Sequence, residues 1–233
     1  MKSSSFEITI DIWSDFVCPW CWIAKKRFER GLEAFEHKAL VTVQHHSFRI
    51  GTGSEVIPFN DVLQKKFGGK IGAEQLMQQV KMAGEEEGLI YNFNTMLFGD
   101  TLDAHRLVIA ARESRLDAKL IERLFQVSIS EGKSIFDRNI LTDLALEVGM
   151  EINDIKDAFT NTTYSKLVTQ DENDVYTNKM NGVPLFIINK KYVISGAQQT
   201  ETFLRVLNQI WEEKEKEQYV NEGKICGFDG CEI

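Results

Sequence analysis

This chain has little that would hold it to a membrane or to nucleic acid. No apolar run approaches the ~18 residues of a transmembrane helix. Acidic residues outnumber basic ones, 35 against 27, for a formal net charge of −8, and the sequence pI is 5.2. That balance argues against nucleic acid and against anionic membrane surfaces as partners. No apolar stretch follows Lys2 in Met1-Lys2-Ser3-Ser4-Ser5, so no secretory signal is read there and the expected compartment is the cytoplasm. Internal repeats and low-complexity segments are absent. Proline is scarce, with only Pro19, Pro58 and Pro184, and cysteine is limited to Cys18, Cys21, Cys226 and Cys231.

What is present suffices for a sizeable core. The 233 residues are 43% hydrophobic, which fits one domain or one domain with an insert. Phe6–Ile12 alternates apolar and polar residues, a strand signature with Ile8, Ile10 and Ile12 on one face. A helix is expected from Pro19 to about His37, with Trp22, Ile23, Phe28, Leu32 and Phe35 on its apolar side. A second strand follows over Leu40–Phe48, then a break at Gly51-Thr52-Gly53-Ser54. Six helices are read in succession at 61–67, 73–87, 103–115, 118–131, 140–148 and 154–159, separated by Gly, Asn and Asp. No strand pattern interrupts them. A helix over 164–180 leads to a hairpin, 185–188 and 192–194, turning at Asn189-Lys190-Lys191. The last helix spans 200–219. The expected architecture is an α/β core formed by 1–55 and 162–220, interrupted by an all-helical insertion at 56–161 and followed by a tail at 221–233.

The chemistry concentrates in Trp13-Ser14-Asp15-Phe16-Val17-Cys18-Pro19-Trp20-Cys21-Trp22. Ser14-Asp15 ends the strand, and Pro19 suits the first helical position, where its missing N–H costs nothing. Cys18 then falls at the N-cap, where its sulfur is expected to accept from the Trp20 or Cys21 N–H. Unpaired amides and the helix dipole favour a thiolate there. Cys18 is read as the exposed attacking thiol and Cys21, one turn in, as the resolving thiol, the chemistry of thiol–disulfide exchange. Two other readings of the pair are a zinc site completed by Cys226 and Cys231, and inert core thiols. Zinc-binding pairs usually occupy a tight turn rather than a proline-initiated helix.

A second signal is Asn181-Gly182-Val183-Pro184-Leu185-Phe186-Ile187-Ile188-Asn189, a strand that opens on proline. A proline is tolerated where its missing donor falls at the edge of a ladder. The residues alone leave its peptide bond open between trans and cis.

The DFVCPWCW run, Ala104-His105-Arg106-Leu107 and the GVPLF run together resemble FrnE-like dithiol oxidoreductases of the DsbA family, within the thioredoxin superfamily. The resemblance covers essentially the whole chain. It implies a thioredoxin-like fold with a large helical insertion. It also implies a cis bond before Pro184, with that loop against the cysteine pair, and a Val183 backbone that hydrogen-bonds an extended substrate peptide. His105 would reach the active-site groove from the insertion and stabilise the Cys18 thiolate. The same family pattern includes 2-hydroxychromene-2-carboxylate isomerases and kappa-class glutathione transferases, which carry Ser in place of the first cysteine. Cys at both positions favours redox over glutathione-dependent isomerisation, which remains the alternative activity, beside a zinc-stabilised binding protein or holdase.

Other residues carry weaker signals. Cys226 and Cys231 form a C-x4-C pair on a glycine-rich tail, similar to a second pair in FrnE-like proteins, and are candidates for an auxiliary redox pair. Trp13 and Trp22 read as core, and Trp20 as a substrate-side residue. His37, His45 and His46 read as structural or solvated, without a chemical partner. Asp11 and Asp15 would tune Cys21 if buried. The expected activity is dithiol–disulfide exchange on protein or peptide thiols and disulfides through Cys18-Pro19-Trp20-Cys21, with Val183 and Pro184 on the substrate side. It needs no metal and no organic cofactor; glutathione is a possible co-substrate, and the thioredoxin or glutathione system a possible electron partner.

Overall fold

The computed structural model describes residues 7–177, 180 and 182–223, with side chains up to 217. β1 (Ile8–Ser14) lies centrally in a four-stranded sheet of order β2-β1-β5-β6. It pairs in parallel with β2 (Val41–Ser47) and antiparallel with β5 (Leu185–Ile188), which pairs antiparallel with β6 (Tyr192–Ser195). The alternation read in the sequence sends Ile8, Ile10 and Ile12 to one face. There they meet Phe186, Ile188 and Ile194 and the helices α1 (Pro19–Glu33) and α9 (Thr200–Gly223) through Ala24, Phe28, Phe203 and Leu207. A Cβ on Gly31 would lie 3.1 Å from both the Phe203 Cβ and the Thr200 carbonyl oxygen. Glycine is what lets the two helices approach this closely.

Among the described residues, seven helices lie between β2 and β5: α2 (Phe59–Lys66), α3 (Lys70–Glu85), α4 (Leu102–Ala111), α5 (Asp117–Gln126), α6 (Arg138–Val148), α7 (Ile152–Thr160) and α8 (Thr162–Thr177). A π-helical turn over Val127–Glu131 extends α5. The segment is not all-helical, because β3 (Ile57–Pro58) pairs antiparallel with β4 (Leu97–Phe98). Strands of two residues carry no period-2 pattern, and their pairing spans the whole of α2 and α3, so no local signal announces them. The first helix also ends earlier than expected, at Glu33, and a 3-10 turn at Lys38–Leu40 leads into β2. α9 runs four residues beyond the expected Tyr219.

The fold is thioredoxin-like with a helical insertion. The apolar core of the insertion continues without interruption into the start of α1, taking in Phe16, Val17, Cys18, Cys21, Trp22 and Ile23. The cysteine motif therefore sits on the seam between the sheet and the helical segment. Register places the proline loop there as well. Trp13 pairs with Leu185, so Pro184 enters β5 beside the end of β1 at Ser14, four residues before Cys18. Among the described residues, no helix is long and apolar enough to cross a membrane.

Candidate active site

Cys18 and Cys21 are both free thiols. Cys18 has extended backbone, φ −102° and ψ 105°, and Pro19 opens the helix. The Cys18 sulfur, however, makes no capping hydrogen bond. The Cys21 N–H donates instead to the Cys18 carbonyl oxygen at 3.0 Å, so the main chain has already satisfied the donor the sulfur was expected to take. The sulfur faces the Val183 carbonyl oxygen at 4.0 Å. Nor is Cys18 the exposed thiol expected: it is 7% accessible, against 2% for Cys21. The helical segment covers it.

Access is along a groove of about 350 Å³ that Cys18 and Trp20 share with Phe59, Leu63, Phe67 and Phe93. Half-buried Trp20 forms part of its wall, and Lys66 brings one charge to the lining. Beside Cys18 is the Val183–Pro184 peptide bond, which is cis. Pro184 is buried and its carbonyl oxygen accepts from the Gly196 N–H at 2.9 Å, tying the loop to the end of β6. Trp13 and Trp22 are buried, as their pattern suggested. Trp22 stacks on Phe125 at 6.3 Å, and the Trp13 indole N–H donates to the Asp171 carbonyl oxygen at 2.9 Å.

Burial pushes the Cys21 thiol well above its ordinary pKa, and hydrogen bonding and charge from Cys18 push it further. A hydrogen bond from the Asp15 main chain works in the opposite direction. Asp15 is fully buried. Its carbonyl oxygen accepts the Cys18 N–H at 3.0 Å, and its carboxylate accepts from the Thr101 hydroxyl at 2.8 Å and the Ile50 N–H at 2.7 Å. His105 comes from α4, buried as well, with Nε2 3.6 Å from the Asp15 carboxylate. It approaches Asp15 rather than standing in the groove, and its ring lies against Phe16 at 4.7 Å.

Two contributions were not anticipated. Tyr91, buried in the segment after α3, donates its hydroxyl to the Pro19 carbonyl oxygen at 2.9 Å. Burial, and then the charges of Cys18 and Cys21, push its own pKa upward. No local motif marks it. The second is His46, which does have partners: Nδ1 meets Asp171 at 2.7 Å and Nε2 meets Asp11 at 2.9 Å. Asp11 is thus engaged on β2's side of the sheet and not at the motif. Those carboxylates are invisible to a sequence reading because Asp171 lies on α8, 125 residues away. His45 is held neutral, its pKa lowered to about 3 by burial and by the charges of Lys25, Arg112 and His46. His37 stacks on Trp211 at 3.6 Å. Cys226 and Cys231 lie outside the described residues, and among those described no cluster of three His, Cys, Asp or Glu side chains could hold a metal ion.

The profile of the DSBA-like thioredoxin domain matches residues 9–208. A probable DsbA oxidoreductase of Streptomyces coelicolor has a structure 31% identical to this chain, with 89% of this chain and 91% of that one superposed at a TM-score of 0.84. The uncharacterized protein YwbO of Bacillus subtilis (strain 168) is 28% identical over 215 residues, 90% of this chain and 99% of that protein. The cytosolic disulfide reductase DsbM of Pseudomonas aeruginosa shares the fold at 15% identity and a TM-score of 0.61, over 91% of this chain and 99% of that one. With two free thiols opening α1 beneath the Pro184 loop, and a profile match that takes in both, the chain belongs to the family of DSBA-like thioredoxin domains.

Proposed function

We propose that this protein exchanges disulfides with protein or peptide substrates through Cys18 and Cys21. The Cys18 thiolate attacks a substrate disulfide R–S–S–R′, forming the mixed disulfide Cys18–S–S–R and releasing R′–S⁻. Cys21, after losing its proton, attacks the Cys18 sulfur. The Cys18–Cys21 bond forms, the Cys18–S–R bond breaks and R–S⁻ leaves. A thiol reductant of the thioredoxin or glutathione type returns the pair to the dithiol. Run backwards, the same two steps oxidise a substrate dithiol, and the partner pool sets the direction.

The observation that carries this reading is the Cys18 sulfur 4.0 Å from the Val183 carbonyl. That main-chain oxygen lies where an extended peptide attached to Cys18 can pair with it. The neighbouring groove suits apolar side chains flanking the substrate cysteine. A substrate of this kind gains from burial of those side chains as well as from the sulfur exchange. Glutathione, a small thiol peptide without apolar flanking side chains, would use only the sulfur exchange at Cys18 and the Val183 main chain as a co-substrate.

The test is turnover of insulin and of a scrambled-disulfide protein by wild type and Cys18→Ser. Wild type is expected to reduce insulin with a thiol reductant present, and the variant to fall to the uncatalysed rate. Equal rates for the two proteins would remove Cys18 from the reaction.

A further inference from the structure

We propose that Lys66 makes the groove beside Cys18 selective for disulfide peptides that carry an acidic side chain next to their apolar ones. This rests on the exchange chemistry just described and names the class of substrate that the same site takes.

The groove is apolar nearly throughout. Apart from Lys66, its lining holds no ionisable side chain but Cys18 itself. At about 350 Å³ it takes a short stretch of chain rather than a folded surface. Lys66 reaches it by helical geometry. A helical side chain lies over the turn N-terminal to its own Cα. One turn back from Lys66 on α2 are Val62 and Leu63, and both line the groove. The methylene stem therefore has apolar surface to follow, while the charged head keeps to the open side, where the residue is exposed. The ammonium lies 5.8 Å from the centre of the Phe67 ring, which also lines the groove.

Among the described residues, no carboxylate pairs with Lys66. Lys70 and Lys81, on α3, each face a glutamate four residues on, Glu74 and Glu85. Four residues after Lys66 the chain has another lysine, Lys70. A lysine in the last turn of a helix also meets the negative end of the helix dipole. Lys65 stands in that turn too, yet it does not line the groove. The Lys66 ammonium is thus the single cation on an apolar lining. A carboxylate beside it is screened less than on an open polar surface. The protein as a whole pulls the other way, since a net charge of −8 favours cationic ligands at long range. A preference for acidic peptides is therefore a signature that only a local cation produces.

Three peptide disulfides test this, each cysteine flanked by two leucines and then by Glu, Gln or Lys. Wild type is expected to show kcat/KM for the Glu peptide about five-fold above that for the Lys peptide, the upper end for an ion pair open to solvent. The Gln peptide should fall between them. The difference should lie in KM and shrink as salt rises to about 0.5 M. Lys66→Glu is expected to reverse the order and Lys66→Arg to keep it. For a lysine that serves only the helix end, neither variant would move the order. Lys66 is exposed, so both variants should fold. Equal values for the three peptides in wild type, or an order that Lys66→Glu leaves as it was, would overturn the assignment. Wild type that reduces none of the peptides would instead refute the function proposed above. In that event calorimetry with serine in place of the peptide cysteines decides, because binding in the groove needs no exchange. Dissociation constants that do not follow the same order then count against Lys66.

Discussion

The Cys18 sulfur and the Val183 carbonyl oxygen lie 4.0 Å apart although 165 residues separate them in the chain. They meet because β1 is followed directly by the cysteine motif, while β5, its antiparallel neighbour, is preceded directly by the proline loop. With Leu185 paired to Trp13, the residues just before β5 come to rest beside the N-terminus of α1. The juxtaposition is a consequence of strand register, which delivers the Pro184 loop to the Cys18 sulfur.

Removing the resolving thiol should trap the reaction half-way. Cys21→Ser is expected to retain the attack by Cys18 and to accumulate a mixed disulfide with substrate, seen by mass spectrometry as one substrate adduct per chain. Cys18→Ser should form none, because Cys21 is buried beneath it. An adduct on Cys18→Ser in similar yield would reverse the two roles.

The groove predicts a separation of binding from chemistry. Phe59 and Leu63 are both buried in its wall. Phe59→Ala and Leu63→Ala should each cost about 2–5 kcal/mol of stability through the cavity left behind. Steady-state kinetics with a peptide disulfide bearing apolar flanking residues should show KM rising several-fold while kcat stays near wild type. The same variants with a small polar disulfide should show an unchanged KM. A fall in kcat alone would place these residues outside the binding surface.

The imidazole of His46 makes the stability of the fold depend on pH. Burial works against its charged form, but the carboxylates of Asp171 and Asp11 outweigh burial and raise its pKa above the unfolded value. Burial also works against the Asp171 carboxylate, and the bonds from His46 and the Ser47 N–H outweigh it, lowering that pKa. The contribution of His46 is thus complete below the unfolded histidine pKa and lost as pH rises through its folded value. That of Asp171 is complete above the unfolded aspartate pKa and lost as pH falls through its own folded value. His46→Gln should therefore be less stable than wild type by about 1.5–3 kcal/mol near pH 5.5, the worth of hydrogen bonds to charged groups. The gap should narrow toward pH 9. His45, neutral throughout, contributes the opposite pH slope in both proteins, since burial is the main cause of its lowered pKa and the His46 charge the smallest. A gap that is constant from pH 5.5 to pH 9 would show that His46 acts without its charge.

Gly84 and Tyr91 offer a test of packing behind the motif. A Cβ on Gly84 would lie 2.2 Å from Cε2 of the Tyr91 ring. By helix propensity alone Gly84→Ala in α3 should stabilise by up to about 1 kcal/mol. The clash reverses the sign, since the ring must shift and its hydroxyl leave the Pro19 carbonyl oxygen. Thermal unfolding is expected to place Gly84→Ala below Tyr91→Phe, which loses only that hydrogen bond at about 1 kcal/mol, and both below wild type. Gly84→Ala as stable as wild type would mean the ring moves freely.

Much of this protein is written locally. The period-2 run at Ile8, Ile10 and Ile12, the proline that opens α1 two residues before Cys21, and the helical periodicity between β2 and β5 each depend on neighbours within a turn or two. They could be read from the chain, and so could the position of the two thiols at the start of α1. The tertiary structure alone decided which side chains surround those thiols. Asp171 reaches His46, His105 reaches Asp15 and Tyr91 reaches Pro19 across separations for which the sequence holds no periodic signal. Burial behaves in the same way. Whether a helix-capping cysteine is open or covered depends on what a distant segment packs against it, and here the helical insertion covers Cys18 and leaves a groove beside it. Local propensity sets an element, whereas the charge state and accessibility of a side chain are set by everything folded around it.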